Sequence, residues 1–392
     1  MKASYGLWII LIGGSTTLFA QQTPQSPAQI PASAPSTADP ASAPKSNSPI
    51  ASHQIHLNVV VTDKSGKPQT GLQQQDFTLL DNKAPQKILL FDAVNELSSR
   101  ADHPVEITLV IDTVNTPFDA VANERPLIAK FLRQNGGKLA YPTSLIVFSN
   151  SGLKVLGGPS LDGNALSTSL ENNNLIGLPS IHDASGIAGA SDLFQLSITG
   201  FDTLVRAKAI VPGRKIIIWL SNGWPTLAGV ESSMGKKPKE DLFASVVAAS
   251  NTLRLAHITV YNVDPGAATG SRFGAPGGMS RTSNKFGYLS YVKGVANPMN
   301  VAPGNLALQV LATQTGGRVI INGNDIASEI QSCVDDASTF YILSFERSAT
   351  EQPDQYHGIE VQVDKPGLTT RTTTGYYSQP DQRPAATEEK KK

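Results

Sequence analysis

The chain is poor in the residues that most often announce chemistry. Its 392 residues include one cysteine, Cys333, and six histidines, and its 32 basic and 32 acidic side chains cancel. One cysteine excludes an intrachain disulfide framework and a thiolate metal cluster. Ile330 and Val334 place it on a helical apolar stripe, so a buried, inert thiol is expected. The histidines are scattered, with no His-Glu-x-x-His and no paired spacing for zinc. A net charge of zero gives no basic excess to draw nucleic acid or an anionic membrane. No Gly-x-Ser-x-Gly elbow occurs. The stretch Gly229 to Lys237 is one residue too long for a phosphate loop, and Lys237 stands where Ser or Thr should be. Arg214-Lys215, ahead of an apolar run, suggests either an anion site or charges that end a strand in solvent, and the second is the expectation.

Long hydrophobic runs are also lacking. Lys2, the apolar Leu7 to Ile12 and the small-residue stretch Ser15 to Ala20 have the layout of a signal peptide. The run is too short and too interrupted by Gly13-Gly14 for a spanning helix, which needs about 20 apolar residues. Export with cleavage near Ala20 is expected, leaving a periplasmic or extracellular protein with no integral span; an uncleaved anchor would hold the same domains outside the cytoplasm. Residues 21–54 are rich in Pro, Ala, Ser and Gln, the composition of a disordered linker, and the polar tail over 379–392 reads the same way.

What is present is an alternation of strands and helices. Val105 to Asp112 suits a strand, and Leu109-Val110-Ile111 is apolar on both faces, as in the middle of a parallel sheet. Lys215 to Leu220 is a second such run, and Ile258 to Tyr261 a third strand. Asn123 is placed to cap a helix with Pro126 in its first turn. The pattern predicts an α/β fold: a Rossmann-like, doubly wound, mostly parallel sheet over 103–346. A small β module over 55–98 precedes it and C-terminal β strands over 347–378 follow. In open α/β sheets ligands sit at the carboxyl ends of the strands, which directs attention to the point where Asp112 emerges.

Three blocks carry a family resemblance. The first is Val59-Val60-Val61-Thr62-Asp63-Lys64-Ser65-Gly66-Lys67-Pro68 with Asp76-Phe77. The second is Pro212-Gly213-Arg214-Lys215 leading into Ile218-Trp219-Leu220-Ser221-Asn222-Gly223-Trp224-Pro225. The third runs from Thr315-Gly316-Gly317-Arg318 through Tyr341-Ile342-Leu343 to Gly375-Tyr376-Tyr377. In this order they make the chain, over about 55–378, resemble the von Willebrand factor A (VWFA) domain family, in its branch of acidobacterial exported proteins. The resemblance implies a module that binds another protein rather than an enzyme, often through a metal-ion-dependent adhesion site. That site uses Asp-x-Ser-x-Ser, a threonine on a second loop and an aspartate on a third. Asp112 and Thr116 match, Val114 replaces the first hydroxyl, and Asn222 stands at the aspartate position. Thr199 and Thr203 are the candidates for the threonine.

Mg²⁺ or Mn²⁺ would meet a weakened site here, since a hydroxyl and a carboxylate are missing. No cofactor is expected, and Asp112 is expected to cap its own loop by accepting backbone N–H bonds. The long loop from Asp264 to Pro303 interleaves Arg272, Arg281 and Lys285 with Phe273, Phe286 and Tyr288. Aromatics with arginine often anchor interfaces, so Asn115, Arg272, Arg281, Phe286 and Tyr288 are the expected partner-binding residues. The function expected is protein–protein interaction or adhesion at the cell envelope. The alternatives are a metal-dependent adhesin that retains its cation and an α/β enzyme of unrecognised type.

Overall fold

Alternation builds the first strand. In β1 (Gln54–Thr62), Ile55, Leu57, Val59 and Val61 are buried on one side, while His56 and Asn58 on the other are half-buried. The computed structural model describes residues 54–95, 102–173, 186–265, 286–321, 325–347 and 352–379. The expected signal segment, most of the expected linker and nearly all of the tail lie outside them, as do Arg272 and Arg281. Next come β2 (Phe77–Asp81), β3 (Ala84–Gln86) and β4 (Leu90–Val94). Their partners come from the other end of the chain: β11 (Phe340–Glu346), β12 (Tyr356–Val363), β13 (Thr369–Arg371) and β14 (Gly375–Tyr377). Two four-stranded sheets result, β13-β1-β11-β4 and β14-β12-β2-β3. One core of Leu57, Val59, Phe77, Leu79, Leu343, Phe345, Val361 and Tyr376 lies between them.

This departs from the expected division into a separate module over 55–98 and appended strands over 347–378, with 340–346 assigned to the α/β domain. The reason is edge pairing. β1 meets β11 antiparallel, Gln54 opposite Glu346, and then β13, with Val60 opposite Arg371. Each end of the chain thereby covers strand edges that the other would leave open.

Between these sheets lie β5 (Val105–Asp112), β6 (Lys138–Ser149), β7 (Gly152–Asp162), β8 (Arg214–Leu220), β9 (Ile258–Val263) and β10 (Val319–Ile320). They form one sheet in the order β10-β9-β8-β5-β6-β7. All neighbours are parallel except the β6–β7 hairpin. Counted 1 to 6 in chain order, the strands read 6-5-4-1-2-3 across the sheet. That is a doubly wound arrangement whose direction switches between β5 and β8, where such sheets bind their ligands. Helices α1 (Phe118–Leu132), α2 (Gly163–Glu171) and α6 (Ile326–Asp335) cover one face; α3 (Gly186–Ala209), α4 (Lys236–Leu255) and α5 (Leu308–Gln314) cover the other. Within β5 and β8 the side chains alternate between the two cores. Leu109, Ile111, Ile218 and Leu220 enter one, and Val110, Ile217 and Trp219 the other.

Several local expectations are corrected. α1 begins at Phe118, before Asn123, so Pro126 lies inside the helix and cannot donate to the carbonyl four residues back. Arg214 and Lys215 do not reach solvent; both are buried. Arg214 lies 4.4 Å over the Phe340 ring and donates to the Asp336 carbonyl at 2.9 Å. Lys215 donates to the carbonyls of Val211 and Gly213. The Asp336 carboxylate in turn accepts from Arg371 of β13 at 2.8 Å and from Tyr261 of β9 at 2.9 Å. A buried ionic knot thus ties the parallel sheet to the sandwich. Cys333 is buried, and burial pushes its thiol up to about 12.

Candidate functional site

The carboxyl ends of β5, β8 and β9 share one rim. Ile111 is level with Leu220, and Leu220 with Val263, so the chain leaves the sheet there at Asp112, Ser221 and Asp264. Asp112 and Asp264 both act on the charge of Glu124, in the second turn of α1. The three carboxylates therefore lie at the same end of the fold.

Asp112 is wholly buried. Its Oδ1 accepts from the backbone N–H of Val114 at 2.9 Å and of Asn115 at 2.8 Å, so the aspartate does cap its own loop. Its Oδ2 accepts from the Asn115 amide at 3.0 Å, from the Trp219 indole at 2.9 Å and from the Trp224 indole at 3.4 Å. The same Asn115 amide donates to Ser197 Oγ of α3 at 2.9 Å. The two indole rings meet edge to face at 5.3 Å, and Phe201 lies against both. An aromatic cluster thus delivers two N–H groups to one carboxylate.

The residues at Asp112 do not fit a divalent cation. Such an ion needs oxygen lone pairs turned towards it, whereas nitrogen donors already occupy both oxygens of Asp112. Val114 is buried among Val110, Phe148 and Trp219. Thr116 Oγ1, Asn115 Oδ1 and Asn222 Oδ1 have no hydrogen-bond partner among the described residues, but they are neutral oxygens. Thr199 and Thr203 are turned to carbonyls of their own helix, on Gln195 and Thr199.

Glu124 is the unforeseen group. It is buried, and neither carboxylate oxygen has a hydrogen-bond partner among the described residues. Burial, and then the charges of Asp112 and Asp264, raise it well above the usual carboxylate range, because both disfavour the charged form. Sequence reasoning also missed Trp219, Trp224 and Ser197. The indoles carried a faint signal in a Trp near the end of a strand whose last five residues are apolar and another Trp five residues past the first.

The expected partner-binding set divides. Phe286 is 59% exposed, but Tyr288 is 8% exposed and packs against Ala307 and Val310. Tyr288 is an anchor of the fold rather than a contact residue. From 286 to the end of that loop and on to Leu306 the chain makes three short 3-10 turns held by side chains such as Asn305, which donates to the Tyr291 carbonyl. Asn115 spends its amide on Asp112 of its own loop and on Ser197 of α3. Phe118, the residue after the loop's proline, is 54% exposed.

The chain is thus a doubly wound α/β domain joined to a β-sandwich built from both chain ends, with an internally hydrogen-bonded aspartate loop at the switch point. No family model and no curated protein matches it. Among solved structures, it is similar to the manganese-loaded TRAP protein of Plasmodium vivax at 9% identity and a TM-score of 0.30, over 75% of this chain and 100% of that one. It is also similar to the SpRpn10 VWA domain at 10% identity and a TM-score of 0.23, over 58% and 93% of the two chains. The assignment of the fold rests on its own strand order.

Proposed function

We propose that the protein is an exported, von Willebrand factor A–like binding module that holds another protein at its switch-point rim without a metal ion. The sequence blocks that resemble that family support the class, and the N-terminal leader supports export. The observation that carries the reading is the state of Asp112. Its carboxylate faces inward and is taken up by the loop and the two indoles, so it stiffens a binding loop instead of offering a ligand or a catalytic base. The loop then presents Phe118 to solvent at the start of α1, and an exposed aromatic beside a rigid loop is a common interface anchor.

The test is capture from an envelope extract by the immobilised chain, with Mg²⁺ or with EDTA, and by a Phe118→Asp variant. The expected result is one partner retained equally in both buffers and lost with Phe118→Asp. Capture abolished by EDTA would favour the metal-dependent adhesin, and capture indifferent to Phe118→Asp would remove the rim from the account.

A further inference from the structure

Two side-chain amides stand together at the switch-point rim. Asn222 follows β8, two residues before the Trp224 whose indole meets Asp112, so it borders the Asp112 loop. Gln309, in the first turn of α5, lies against the next residue, and a Cβ built on Gly223 would collide with its Nε2. Both amides are half-buried, and each is divided in the same way. Asn222 Oδ1 and Gln309 Oε1 are shut off from solvent, as are Asn115 Oδ1 and Thr116 Oγ1. The two amide nitrogens are not shut off, and neither donates to a described residue. We propose that Asn222 and Gln309 receive an uncharged main-chain carbonyl of the partner, in an extended segment, and that the rim selects against acidic side chains. This rests on the rim being the binding face and names the chemistry that it takes.

The site selects that ligand by exclusion. An ammonium or guanidinium group brings only donors, and the amide groups turned outward here are donors too. A carboxylate accepts strongly but would enter a field of its own sign. The loop and the start of α1 carry Asp112, Asp119 and Glu124, and Asp264 lies at the same end of the fold. No Lys or Arg occurs over 112–124, 220–230 or 303–317 to offset them, and unoffset like charges turn a partner away. A sugar hydroxyl accepts, yet it must also place its own proton, and the side-chain oxygens of Asn115, Thr116, Asn222 and Gln309 are sealed against it. A side-chain amide would bring two donors beside its carbonyl. A main-chain carbonyl has two lone pairs, one for each amide, and across a planar trans peptide the adjoining N–H points the other way. Gly223 has no side chain to stand between Asn222 and Gln309. Phe118, on the neighbouring loop, supplies the apolar contact for the same segment.

Defined probes on the full chain test this without the partner in hand. In heteronuclear NMR spectra the side-chain NH₂ signals of Asn222 and Gln309 are identified by their loss in Asn222→Leu and Gln309→Met. Both signals should move dose-dependently with N-acetylalanine methylamide, an uncharged peptide fragment. They should stay in place with acetate, methylammonium or methyl glucoside at matched ionic strength. Each substitution keeps the approximate shape of the side chain and should weaken the fragment several-fold, as one lost hydrogen bond does. That loss is read from the remaining amide and the Trp224 indole signal. Larger shifts with acetate would overturn the selection against acids, and larger shifts with the glucoside would give the amides to a saccharide instead. No shift with any probe would overturn the proposal outright, and that comparison needs only the parent chain. Partner capture separates this inference from the reading beneath it. Dependence on Phe118 but not on Asn222→Leu or Gln309→Met would keep the rim and reject the amides; indifference to all three would reject both.

Discussion

Asp112 shows how one side chain can decide what a site is for. With its oxygens holding the loop and two indoles, Asp112→Ala should cost about 2–4 kcal/mol in urea unfolding, because the Trp219 and Trp224 N–H groups are left buried without an acceptor. The tryptophan emission should shift as those bonds are lost. Titration of the parent with Mg²⁺ or Mn²⁺ should give no saturable heat, and a stoichiometric binding isotherm would contradict the metal-free reading. Glu124 gives a pH prediction. Its folded-state titration lies above its unfolded value of about 4.5, so folding takes up a proton. Its stabilising contribution is complete below that unfolded value and is lost as pH rises through the folded one. Glu124→Gln should therefore stabilise the protein by about 1–3 kcal/mol at pH 8 and change little near pH 4. Equal effects at both pH values would show that Glu124 is ionised in the folded protein.

At the scale of elements, α3 depends on the absence of a side chain. A Cβ on Gly200 would lie 2.5 Å from the Phe148 ring, so this glycine sets how closely the helix approaches β6. Gly200→Ala improves helix propensity by about 1 kcal/mol, yet it should destabilise the protein by about 1–3 kcal/mol through overpacking. A raised melting temperature would show that helix and strand can part without loss. The strands themselves were legible in the sequence. Leu109-Val110-Ile111 and Ile216-Ile217-Ile218 are apolar on both faces, and such runs have little choice but the middle of a covered sheet. The self-capping of Asp112 was also legible, because an Asx turn is local. The indoles that complete it come from 107 and 112 residues further along, and no periodicity reports contacts of that range. Arg214 and Lys215 were misread for the same reason: Asp336 and Phe340, which make burial of Arg214 tolerable, are remote in the chain. Tyr288 looked like an interface residue by composition, and only the position of α5 shows that it is covered.

At the scale of the whole molecule, the ionic knot at Asp336 and the two shared sheets make the sandwich and the α/β domain depend on each other. Asp336→Ala should cost about 3–5 kcal/mol, as removal of one partner from a buried charge network does. A fragment over 54–98 should give the circular dichroism of an unfolded chain, because β1 and β2 would lack β11 and β12. A cooperative melt from that fragment would show that the first strands stand alone. The pairing of Gln54 with Glu346 also sets a timetable. The strand that leaves the ribosome first must wait while 346 − 54 = 292 further residues are made before it meets its neighbour, and contacts of that separation close slowly. Under the export proposed above this delay is useful, since a polypeptide that cannot complete its first sheet until its last hundred residues arrive stays threadable throughout transit.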